Sequence, residues 1–142
     1  MEHHSPREHR PDHDKANGDL DSAWAQYRAH IRPEHLADAE ALYREEAGAF
    51  LVYLDCYYLG EHPEDIRADF TSIYAGSYPD RAAWAQDVIE VLGWDAALRR
   101  ALQDASIPPD LVTWRPDALI GFAESMGFRL HEAGGRVHVF HE

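Results

Sequence analysis

The chain of 142 residues reads as an α+β protein, mostly helical, with a small antiparallel β-hairpin at its C-terminal end. Three observations predict this. Apolar residues recur every three or four positions from Leu36 to Tyr58 and again around Trp84, the spacing of one buried helix face. Helix breakers fall between these stretches, at Pro33, Gly60, Pro63, Pro79, Gly93 and Pro116. Near the end, Phe128-Arg129-Leu130 and Val137-His138-Val139-Phe140 flank Ala133-Gly134-Gly135, a hairpin pattern.

Residues 1–18 are polar, with Pro6, Pro11 and His3, His4, His9 and His13, the composition of a disordered tail. His9 and His13 have a spacing found in zinc sites, but no second ligand pair follows and closed zinc sites need four ligands, so no metal is expected. Asp19 or Asp21 can cap a short helix carrying Trp24, Tyr27 and Ile31, which Pro33 ends. Leu36, Ala39, Tyr43, Ala47, Phe50, Leu54 and Tyr58 form one stripe. They predict a long amphipathic helix stopping at Gly60, with Gly48 the point at which it can bend.

Pro63 suits the first turn of the next helix and Glu64 and Asp65 its positive end, with Ile66, Phe70, Ile73 and Tyr74 as its buried side. Ala75-Gly76-Ser77-Tyr78 reads as a tight connection. Pro79 opens a helix whose inner face is Trp84, Val88, Val91 and Leu92, closed by Gly93, and a short helix follows over Asp95 to Ala105. Pro108-Pro109 interrupts the helical series. Pro116-Asp117 starts the last helix, through Ala118, Leu119, Phe122 and Met126. The organisation expected is a His-rich tail over 1–18, an acidic helical domain over 19–106 and a C-terminal helix-plus-hairpin domain over 107–142.

Charge is distributed unevenly. Between Glu34 and Asp95 there are fourteen acidic residues and three basic ones, a net −11, while the flanking segments are −1 each. Acidic runs are usually disordered, but this one also carries Phe50, Leu54, Tyr57, Phe70, Ile73, Trp84 and Val88 and must fold. A folded acidic surface repels nucleic acid and membranes and attracts proteins built to hold a polyanion. No apolar run approaches the ~20 residues needed to span a bilayer, and no signal segment opens the chain, so a cytoplasmic location is expected. The single cysteine, Cys56, has Asp55 and Glu61 nearby, which disfavour a thiolate.

Chemistry-bearing motifs are few. There is no phosphate-cradling glycine loop, no His-Glu-x-x-His and no Cys-x-x-Cys, and no pair of carboxylates stands out as acid and base. Catalytic residues, metal ligands and cofactors are therefore all expected to be none. His131 and His138 can oppose each other across the hairpin as a solvated pair. Arg99-Arg100 is too small a basic group for nucleic acid. The aromatic residues at helical spacing are expected in the core.

From about Gly48 to Phe140 several ordered pieces carry a resemblance. They are Ala49-Phe50-Leu51-Val52-Tyr53-Leu54, the run from Asp69-Phe70 through Tyr74-Ala75-Gly76 to Tyr78, Trp84-Ala85, Ile107-Pro108-Pro109-Asp110-Leu111 with Trp114, and Val137-His138-Val139-Phe140. Together they resemble the antirestriction ArdA family, acidic proteins that imitate bent duplex DNA and occupy type I restriction-modification enzymes. The family's N-terminal β-rich domain would precede Gly48; here a polar tail and a short helix stand instead, so the chain resembles a truncated homologue. Trp114-Arg115-Pro116-Asp117 also inverts one charge of the family's acidic element.

The resemblance implies a non-enzymatic DNA mimic whose acidic helices occlude the DNA-binding site of a type I enzyme. The alternative is an acidic protein-interaction or regulatory module on the same fold. The acidic surface is expected at Glu61, Glu64, Asp65, Asp69, Asp80, Asp87, Glu90 and Asp95, in two adjoining ridges. Duplex DNA carries about one charge per 1.7 Å, so −11 corresponds to about 19 Å, half a turn. A homodimer would double that length. Its expected seam is the hairpin's Phe128, Leu130, Val137, Val139 and Phe140, and the family's dimerisation through its last domain agrees.

Overall fold

The computed structural model describes residues 19–58 and 63–142. The tail expected over 1–18, its histidines, Gly60 and Glu61 lie outside the described residues. The chain is mostly helical with a three-stranded antiparallel sheet, in line with the periodicity. In order come α1 (residues 19–28), a 3-10 turn (Pro33–His35), α2 (Leu36–Glu46), α3 (Gly48–Tyr53) with a π turn (Leu54–Tyr58), α4 (Ile66–Ile73) and β1 (Tyr74–Tyr78). Then follow α5 (Arg81–Val91), α6 (Trp94–Asp104), a 3-10 turn (Pro109–Leu111), α7 (Pro116–Ser125), β2 (Phe128–Ala133) and β3 (Arg136–His141).

β3 is the central strand, with β1 and β2 on either side. Strand side chains alternate between faces, and here each face meets its own helices. Phe140 joins Phe50, Tyr53, Leu54 and Phe70 beneath α2, α3 and α4. Val137 and Val139 turn the other way, onto Trp84, Ile120 and Ala123 of α5 and α7. Val137, His138, Val139 and Phe140 are consequently all buried. The first core is rich in ring contacts: Phe50 lies 5.7 Å from both Tyr53 and Phe70, and Phe70 6.2 Å from Phe140.

The long helix expected over Leu36 to Gly60 is two helices. The break falls at Ala47, whose φ of 41° is left-handed for a residue that carries a Cβ. Gly48 has another role. A Cβ there would lie 2.9 Å from His138 Nε2, so glycine lets α3 approach β3. Pro116 opens α7 as expected, whereas Pro63 and Pro79 lie just before α4 and α5 and not inside them. Asp65 and Asp80 cap α4 and α5, accepting from the backbone N–H of Ala68 and Ala83 at 3.1 and 2.8 Å.

The segment read as a tight connection is strand β1. Ser77 and Tyr78 pair with His138 and Val137, and a bulge at Ala75 shifts the register between Tyr74 and Gly76. The expected division between 106 and 107 therefore does not separate two cores, because the sheet and the α5–α7 packing join both sides of it. His131 and His138 do oppose each other, but His138 is buried rather than solvated.

Candidate functional site

The described carboxylates expected at the partner-binding surface divide among three helices, Asp95 standing alone in the first turn of α6. Glu64, Asp65 and Asp69 belong to the start of α4, which packs on α2 and is tied to it by a bidentate Arg67–Glu45 pair at 3.0 Å. That pairing holds the Glu45 carboxyl below its ordinary range. Asp80, Asp87 and Glu90 lie along α5, which packs on α6, α7 and β1. The two ridges expected to adjoin thus rest on different packing partners.

Most of these acids hold the fold together. Asp65 and Asp80 are caps. Asp69 accepts from the Tyr53 hydroxyl at 2.5 Å, and Asp87 from Tyr78 at 3.0 Å. Asp95 accepts from Trp114 Nε1 at 3.3 Å and from Arg99 at 2.7 Å. Burial, and then the bond to Asp69, pushes the Tyr53 hydroxyl far up; burial, and then the bond to Asp87, raises Tyr78. Only Glu64 and Glu90 are exposed without a hydrogen bond or ion pair among the described residues. A cap uses one oxygen of a carboxylate and leaves the charge in place. Asp80, Asp87 and Glu90, all exposed, still project a negative stripe from α5.

The expected dimer seam is spent inside the chain. Val137 and Val139 face α5 and α7, Phe140 faces α3, and all three are buried; Phe128 and Leu130 are half-buried against the Trp84 cluster. Period-two alternation puts Phe140 on the opposite side from the other four, so the five never share a surface.

Other side chains are brought together without any sequence signal. Ser77 donates to His138 Nδ1 at 2.6 Å, His138 Nε2–H donates to the Ala133 carbonyl at 3.0 Å, and Tyr74 donates to Ser77 at 2.6 Å. They line a cavity of about 320 Å³ with Glu46 and Arg136. Burial keeps His138 and His131 below the ordinary imidazole range, and His131 shares a 3.1 Å hydrogen bond with Tyr57. Ser77 and His138 have the spacing of a nucleophile and base, and each proton in the chain has an acceptor. Such a satisfied network rigidifies a sheet. Cys56 is at the surface, and desolvation followed by the Asp55 charge raises its thiol.

Two of the expected inner faces are rotated. α5 buries Trp84, Ala85 and Ile89, and α7 buries Leu119, Ile120 and Ala123. Val91, Leu92, Phe122 and Met126 are left 76%, 53%, 55% and 60% exposed. Among the described residues no group of three or more His, Cys, Asp or Glu could hold a metal, and no helix is long and apolar enough to cross a membrane. The chain matches no family model, no curated protein and no solved structure among those compared.

Proposed function

We propose that the protein is an ArdA-like antirestriction factor, an acidic DNA mimic that occludes the DNA-binding site of type I restriction-modification enzymes. The observation that carries the reading is the α5 stripe: Asp80, Asp87 and Glu90 are exposed while Trp84, Ala85 and Ile89 of the same helix are buried. The sequence resemblance over 48–140 supplies the target class. On this reading the protein works in the cytoplasm, needs no cofactor, catalyses nothing and binds neither nucleic acid nor membrane. Its affinity falls steeply with salt as carboxylates stand in for phosphates.

Restriction of unmodified phage DNA in cells with a type I enzyme should drop when the protein is expressed. The Asp80→Asn, Asp87→Asn, Glu90→Gln variant should inhibit less, with a salt slope shallower by about one unit per effective charge lost. Unchanged restriction by every type I enzyme tried would overturn the proposal. A second reading, an acidic protein-interaction module without a restriction target, is favoured by the five acids that serve the fold. It predicts that the triple variant keeps its partner.

A further inference from the structure

A groove of about 340 Å³ runs between α5 and α7. Its floor is Trp84, Leu119 and Ala123, and its rims are Val91 and Leu92 on one side and Phe122 and Met126 on the other. Single exposed apolar side chains are ordinary, but four large ones around one concave floor mark an interaction surface. From Trp84 to Val91 the α5 wall rises about 10 Å, the length over which a bound helix presents anchors at i, i+4 and i+7.

We propose that this groove receives an amphipathic helix of a partner protein, one that carries lysine or arginine beside its apolar anchors. Charge selects this occupant. Asp87 is the one charged residue in the groove lining, and Asp80 and Glu90 continue the negative stripe along the same helix. A second copy would bring like stripes together on chains of net charge −13. Residues 1–18 and 59–62 cannot supply the anchors, since apart from proline their apolar side chains are Met1, Ala16 and Leu59. The inference does not rest on the antirestriction reading and holds for any basic partner. It gives that partner a salt-independent hold next to a salt-dependent one.

The test uses three fluorescein-labelled peptides of about five helical turns. One is Leu/Lys with Leu at i, i+3, i+4 and i+7, one is its scramble, and one is the Leu/Glu counterpart. Anisotropy should show binding of the first alone. Phe122→Ser with Met126→Ser should weaken it at least about tenfold with an unchanged salt slope. Asp87→Asn with Glu90→Gln should lower the slope instead. If the first pair perturbs folding by circular dichroism, Val91→Thr with Leu92→Ser repeats the test from the other rim. Equal binding of the scramble, or indifference to both apolar pairs, would overturn the proposal. So would a concentration-dependent dimer in sedimentation that the same variants abolish, because the occupant would then be a second copy.

Discussion

The two faces of the sheet are both covered by helices, and they end differently. On the α3 face the chain closes over its rings: Phe50, Tyr53, Tyr58 and Phe140 are fully buried. On the α5–α7 face the core is thinner, and Val91, Leu92, Phe122 and Met126 remain in solvent. Periodicity alone does not distinguish these outcomes. What separates them is how many elements crowd each face. Helices α1 to α4 and strands β1 and β3 all contribute to the core around Phe50 and Phe70. By contrast, α5 and α7 meet through Trp84, Ile120 and Ala123 and through Ala85, Ile89 and Leu119, and leave Val91, Leu92, Phe122 and Met126 outside. A face that stops half-closed is where a partner adds the missing layer.

The largest expected effect breaks this contrast if it is wrong. Phe50→Ala empties a fully buried ring site and should cost about 3–5 kcal/mol. Phe122→Ala, on a side chain more than half exposed, should cost about 0.5 kcal/mol or less. Urea midpoints at unchanged m-value measure both. Comparable losses would mean that the α5–α7 face is core and not surface.

The α3 face also carries the pH response, at both ends of the range, because His138 lies against Gly48 and His131 against Tyr57 and Phe140. His138 and His131 have folded pKa values below the ordinary value near 6.5, chiefly through burial. The unfolded chain therefore binds protons first. The stability these imidazoles contribute is intact above about pH 6.5 and is lost as pH falls from there through the folded values. Across the other range, burial lifts Tyr43 and Tyr57 to about 12 and Tyr53 further, so stability from the α3 core is present below about pH 10 and lost as pH rises beyond it. Between pH 7.5 and 5.5 stability should fall, and His138→Gln should flatten that slope whatever its effect at neutral pH. Glu45 adds nothing in this window, because its range begins near pH 4.5. An unchanged slope would mean that the Tyr74–Ser77–His138 chain accommodates a proton.

Helix content and the terminal hairpin follow local rules and are legible in the sequence; the caps at Asp65 and Asp80 are local too, but the prolines just before them draw the helix starts two or three residues early. β1 was hidden because Ala75, Gly76 and Ser77 are poor strand formers; the strand exists through pairing with β3 some sixty residues away, and Gly76 inside it was the one clue to a bulge. The buried faces of α5 and α7 are legible only at Trp84 and Leu119, for a related reason. A reading weighted toward large side chains selects Val91 and Phe122, but close helix packing selects Ala85 and Ala123. Of the acidic surface, its composition and its two ridges could be read, and the different packing partners of α4 and α5 could not. Nor could the fold-holding bonds of Asp69, Asp87 and Asp95, since their partners lie far along the chain or on another element.

The smallest effect concerns the hinge that lets the α3 face close. Ala47 sits at φ 41°, ψ −108°, a conformation comfortable only for glycine. Its N–H still bonds to the Tyr43 carbonyl at 2.8 Å and its carbonyl accepts from Leu51 at 3.2 Å, so the turn is anchored on both sides. Ala47→Gly relieves the Cβ clash in the folded state and adds freedom to the unfolded chain. The first effect is about 1–3 kcal/mol and the second about 0.5–1 kcal/mol, so a net gain of about 1 kcal/mol is expected. The gain should come without change in the Phe122 region, which shares no contact with the hinge in either core cluster. Ala47→Val should do the reverse, since a β-branched residue tolerates positive φ less than alanine does. A glycine variant less stable than the parent would mean that Ala47 leaves this conformation in solution and that α2 and α3 run on as one helix, as the apolar stripe suggests.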